Sequence, residues 1–269
     1  MTTVSENVES PSRATGSGAL HAFEHWLLNY RRTWHGSVFS GFLLPLLFIL
    51  GLGMAVGGYV NGSDAIGGAD YVAFIAPGLL ASTAFQIATG ELTWPVYAAT
   101  RWGSQYKAMQ ASPLTNDDIL NGHLLYALFR AAVSAVVFFL VMAAFGLLDS
   151  PLAPLAILAA MLTALASIGA VYAISMSVKN ESALSIVHRF GILPLTLFSA
   201  VFFPLDQLPL AIRPLAWISP VWHGVELSRA STLGVAPPWP WLAHLAVLVV
   251  WAVGGWMFAR AALAKRLKV

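Results

Sequence analysis

Cysteine is absent from the 269 residues, and its absence removes disulfides, thiol nucleophiles, iron–sulfur clusters and thiolate-held zinc together. Any metal site would have to be built from His and carboxylates. Charge is almost as scarce. Asp, Glu, Lys and Arg make up 10% of the chain and apolar residues 58%, against about 25% and roughly 45–50% in an ordinary soluble domain, which excludes a water-soluble globule. The surplus of 14 Lys and Arg over 12 Asp and Glu leaves a net charge of only +2, too little for a polyanion-binding surface, so no nucleic-acid partner is expected. No Lys follows a Gly, so the phosphate-binding loop GxxxxGK[ST] cannot occur and any ATP must be hydrolysed by another subunit. His21 and His25 lie around Glu24 without the HExxH order, and no catalytic triad or paired-carboxylate site is evident. We therefore expect no catalytic residue, cofactor or metal on this chain.

What the sequence has in abundance is long apolar runs. A bilayer core about 30 Å thick needs roughly 20 such residues per helix, and six runs qualify: 36–60, 72–98, 122–148, 151–178, 184–203 and 239–262. The expected fold is all-α, a polytopic membrane protein with six spans over 36–262. Residues 1–18, rich in Ser, Thr, Gly and Glu, read as a disordered tail, and 263–269 as a basic C-terminus. Positive charge is retained in the cytoplasm. Eleven Lys and Arg fall in the tail, the second and fourth connections and the C-terminus, against two, Arg213 and Arg229, on the other side. Both termini are therefore expected to be cytoplasmic, and six spans, which put both ends on one side, are consistent with that.

Three segments outside the spans carry pattern. Across 19–35, Phe23, Trp26, Leu27, Tyr30 and Trp34 recur at three- and four-residue spacing with Arg31 and Arg32 between them, an amphipathic interfacial helix pattern. The second connection, TRWGSQYKAMQASPLTNDDILN, predicts a short cytoplasmic helix over 102–111, presenting Trp102, Tyr106 and Met109 with Gln105 and Lys107 nearby. Ser112-Pro113 should end it, and Thr115 with Asp118 resembles a capping box opening the third span. The last connection, 204–238, is apolar but broken by Pro204, Pro209, Pro214, Pro220, Pro237 and Pro238, which suits short helices dipping into the outer leaflet and not one span. Inside the spans, Glu91 and Arg130 both sit about 10–12 Å deep at 1.5 Å per residue, and charges at that depth normally find partners. We expect them to pair; the alternatives are that Arg130 snorkels to the inner headgroups or that Glu91 is protonated and hydrogen-bonded within the bundle.

The run Phe202-Phe203-Pro204-Leu205-Asp206-Gln207-Leu208-Pro209, continued by Pro214-Leu215, Pro220, His223 and Arg229, resembles the C-terminal signature of type-2 ABC exporter permeases. Tyr106-Lys107 and Ala111-Ser112-Pro113-Leu114-Thr115 are similar to that family's cytoplasmic coupling segment, and the order of elements matches from about Leu20 to Lys268. The branch looks closest to the lipooligosaccharide (nodulation) and daunorubicin-type drug exporters. The resemblance implies a bacterial plasma-membrane permease that exports an amphipathic, lipid-linked or drug-like substrate. It implies a second permease subunit, identical or homologous, and two cytoplasmic P-loop ATPase subunits that hold ATP and magnesium. It assigns 102–111 to the coupling helix and 204–239 to re-entrant outer helices. The alternatives, an ion-gradient-driven transporter or a non-transporting scaffold, fit less well. No convincing internal repeat favours the first, and a scaffold needs neither the long outer segment nor a rigid cytoplasmic helix.

Overall fold

A computed structural model describes residues 18–56, 59 and 70–267, which are mostly helical with no strand among them. The expected disordered tail lies, apart from Gly18, outside the described residues. The first element, α1 (Gly18–Ala55), is one continuous 38-residue helix. The helix runs without interruption through 35/36, and its aromatic stripe covers a protein face. Trp26 and Tyr30 are buried, while Trp34 stays exposed.

Four helices are long and apolar enough to cross a membrane: α2 (Tyr71–Arg101), α4 (Asn116–Ala144), α5 (Leu155–Ser177) and α10 (Trp241–Leu267). Between α2 and α4 lies the short α3 (Gln105–Gln110). Local chemistry sets these ends. Asp70 caps α2 through Val72 N. At α4, Thr115 Oγ1 accepts from Asp118 N at 3.1 Å while Asp118 Oδ2 accepts from Thr115 N at 2.9 Å, a reciprocal cap of the kind worth about 1 kcal/mol. The 184–203 run is helical in three pieces: α6 (Glu181–Val187), a π turn (His188–Ile192) and α7 (Leu193–Leu197). Pro194 has no amide to give Phe190, and the Leu193 amide reaches one residue further than usual, to His188.

The proline-broken segment holds a 3₁₀ turn (Leu205–Gln207), α8 (Arg213–Ile218) and α9 (Pro220–Leu233), none long enough to span. Ser219 caps α9, Pro220 occupies its first turn, and Gly234 ends it at φ +70. α9 is the unusual element. Its sequence PVWHGVELSRASTL is polar, yet every residue from Pro220 to Thr232 is buried. It packs on α2, α5 and α10, while α1 lies along α4 and α5 lies between α2 and α10. The loop before α5 is clipped to it, since the Asp149 and Ser150 amides both donate to Thr232 O at 3.0 Å.

Close approach at two crossings depends on glycine. A Cβ on Gly224 of α9 would lie 1.6 Å from Thr163 Oγ1 of α5, and one on Gly169 would lie 2.3 Å from the Gly255 backbone of α10. The opposite face of α10 carries exposed Val249, Val250, Val253, Met257 and Phe258, a surface suited to lipid and not to water.

Candidate functional site

The short α3 is held from behind. Trp102 ends α2, Ser104 adopts a left-handed conformation at φ +49, and the chain reverses into α3. Helix therefore begins at Gln105, later than the 102 expected. Trp102 (60% exposed), Gln105 and Lys107 face outward. Tyr106 and Met109 face inward, and Tyr106 is fully buried. The expectation that Trp102, Tyr106 and Met109 share one side of the helix is thus corrected. A six-residue helix laid against a bundle turns one side to it, and here that side carries the phenol.

Tyr106 OH shares a 2.5 Å hydrogen bond with His123 Nδ1 of α4, and its ring stacks on Tyr172 of α5 at 6.4 Å between centroids. Burial, reinforced by the Tyr172 phenol, pushes the Tyr106 phenol well above its ordinary range, so it stays protonated at physiological pH. His123 stacks on Trp26 of α1 at 4.0 Å. One side chain of α3 therefore fastens it to α4 and α5 directly, and to α1 through His123.

The contacts continue into the bundle. Trp26 stacks with Tyr126 at 6.2 Å, and the Tyr126 hydroxyl accepts from Arg130 Nη1 at 3.3 Å. Arg130 Nη1 lies 2.8 Å from Glu91 Oε1 of α2, with the guanidinium 4.9 Å from the Tyr30 ring centre. The two intramembrane charges share one site, and two tyrosines from α1 and α4 close around the cation.

A second polar cluster lies in α9. Arg229 donates to Glu226 Oε1 at 2.7 Å, to Ala200 O at 2.8 Å and to Phe74 O at 3.3 Å, over the Phe74 ring at 4.0 Å. Ala200 itself has φ +56, so this one arginine fastens the strained turn after α7 to α2. His223 Nε2 donates to Trp217 O at 2.9 Å, which leaves Nδ1 to accept from His244 Nδ1 at 2.8 Å. Pro204 and Pro209 shape the turns before α8. Asp206 contributes its carbonyl to Arg213 at 2.6 Å, while its exposed carboxylate takes no part. Glu226 and His244 were missed from sequence. The spacing Glu226-x-x-Arg229 on a helix could have found the first, whereas nothing local marks His244. Among the described residues no group of three or more His, Asp or Glu could hold a metal.

These features define an all-α integral membrane protein with a short helix locked between two membrane-length ones. The family model for the ABC-2 type transporter matches residues 22–233, from the buried stripe of α1 to the end of α9. The chain belongs to the ABC-2 type transporter family and is a membrane transport component. It is similar to Nodulation protein J of Rhizobium leguminosarum bv. viciae, 27% identical over 93% of this chain and 96% of that one. The Nodulation protein J of R. leguminosarum bv. trifolii is 28% identical over 94% and 97%, and that of Rhizobium meliloti (strain 1021) is 27% identical over 90% and 92%.

Proposed function

We propose that this chain is the six-span permease subunit of an ATP-driven exporter, with both termini in the cytoplasm of a bacterial plasma membrane. The second half of α1 and the kinked stack 181–197, about 26 Å at 1.5 Å per residue, serve as the spans beyond the four long helices, and 204–238 dips into the outer leaflet. Two cytoplasmic ATPase subunits bind ATP and magnesium, and a second permease subunit completes the pathway. The cargo is amphipathic, lipid-linked or drug-like. A groove of about 280 Å³ beside the π turn, walled by Phe190, Phe198, Leu215, Ile218 and Trp251, suits an apolar moiety.

The observation that carries this reading is α3 with the turn before it: exposed on one side through Trp102, Gln105 and Lys107, and bolted on the other through Tyr106 to His123. A partner that pushes on the exposed side moves α4, α5 and α1 with it. Trp102, Gln105 and Lys107 make the contact, and Tyr106 and Met109 transmit it.

The test compares Tyr106→Ala with Tyr106→Phe in the reconstituted complex. Truncating a buried aromatic costs about 3–5 kcal/mol locally, so Tyr106→Ala should keep ATP hydrolysis and lose most transport per ATP. Tyr106→Phe keeps the ring and should retain an intermediate ratio. An unchanged transport-to-hydrolysis ratio in a normally assembled Tyr106→Ala complex would refute the role.

A further inference from the structure

A cavity of about 530 Å³ opens between the N-terminal half of α1 and the start of α3, lined by His25, Leu28, Asn29, Arg31, Arg32 and Gln105. Among the described residues no carboxylate lines it and neither arginine forms an ion pair. The nearest acidic residue along the helix, Glu24, lies outside the lining. Two guanidiniums on adjacent residues thus share an open cavity with no anion among the described residues lining it, an arrangement that favours an anion from outside.

Position on the chain says which anion. Tyr30, one residue earlier, lies under the Arg130 guanidinium, so Arg31 and Arg32 leave the backbone level with the Glu91–Arg130 pair. Helical side chains slant toward the N-terminus, which sends both arginines back along α1 toward Gln105 at the start of α3. Exposed Trp34 follows them, an aromatic residue of the kind enriched at headgroup depth, and Leu28 beside them is 60% exposed. Long cationic side chains with apolar stems that end at this depth are snorkelling. The anion abundant there is the phosphate ester of a lipid, which planar guanidiniums take with paired hydrogen bonds. An acidic protein surface would not need the apolar wall.

We infer that this cavity binds the phosphate headgroup of an anionic inner-leaflet lipid, held by Arg31 and Arg32 with the Asn29 and Gln105 amides. The bound lipid bridges α1 to the coupling helix, so membrane composition tunes how firmly α3 is seated. The assignment to the inner leaflet rests on the cytoplasmic orientation proposed above.

Native mass spectrometry of the full chain in detergent, loaded with phosphatidylglycerol or phosphatidylcholine, tests the site. Wild type should retain phosphatidylglycerol over phosphatidylcholine. The variant Arg31→Gln/Arg32→Gln should retain about tenfold less of it, the loss expected from one charge-assisted interaction. A control of equal charge change, Lys265→Gln/Arg266→Gln, should behave as wild type. Equal retention by the arginine variant, or no preference between the two lipids, overturns the inference. Displacement of the lipid by millimolar inorganic phosphate would make free phosphate the ligand and overturn the lipid assignment. Unchanged lipid retention with loss of the copurifying ATPase would assign the arginines to a protein surface, and the inference would again fail. The measurement reads neither sidedness nor transport, so a negative result leaves the exporter reading to its own tests. Retention combined with outside labelling of Gln105→Cys would overturn the inner-leaflet assignment alone.

Discussion

Exchanging Glu91 and Arg130 gives a sharp quantitative test of the bundle. Breaking a fully buried ion pair costs about 3–5 kcal/mol and an exposed one about 0–1. The side chains here are 16% and 20% exposed, which places Glu91→Gln between those limits. Arg130 keeps the Tyr126 hydroxyl and the Tyr30 ring, which together offset about 1 kcal/mol. The net loss is about 2 kcal/mol, roughly a thirtyfold change in the folded population. Glu91→Arg should cost more, because two cations then face each other. The exchanged pair, Glu91→Arg with Arg130→Glu, should recover the charge attraction. It should still fall short of wild type by that same ~1 kcal/mol, because Tyr30 and Tyr126 stay beside position 130 and would face a carboxylate. Retention of the monodisperse peak after graded heating in detergent, run as a double-mutant cycle, measures this. A double variant no better than the worse single one would mean that the charges do not support each other, and the reasoning would fail.

The other predictions use the same material. Because the chain has no cysteine, single cysteines at Ser63 and Gln207 should label from outside, and one at Gln105 only after permeabilisation. The reverse pattern would defeat the orientation. Gly224→Ala should abolish stable folding, since its Cβ would overlap Thr163, whereas Gly254→Ala, with nothing within 4 Å, should be neutral. Equal heat stability of the two would show that the α5–α9 crossing is looser than drawn.

Short-range signals in the sequence were readable. Thr115 and Asp118 cap α4 with bonds three residues apart, so their pattern needed no knowledge of the fold. Glu91 and Arg130 could be matched because depth along two neighbouring helices is simple arithmetic, and their charged atoms lie 2.8 Å apart. Tyr106 was harder. Which side of a six-residue helix turns inward is decided by Trp26, His123 and Tyr172, which come from three other helices. His123 itself was hidden in an apolar run, and His244 meets His223 only through the packing of α9 on α10. The 19–35 segment and the first apolar run form one continuous helix because a change in polarity along a helix alters what it packs against without interrupting its hydrogen bonds.

The all-round burial of α9 bears on how the protein is made. A polar helix without a lipid-compatible face cannot wait alone in the bilayer, and one wall of its enclosure, α10, is synthesised after it. Leu227 packs with Leu248, and His223 bonds His244, both on α10. α9 can therefore be locked only once α10 has been inserted. The final helix acts as the closing stave of a barrel, and a nascent chain stalled before Trp241 would present His223, Leu227 and their neighbours to membrane quality control as unfinished work.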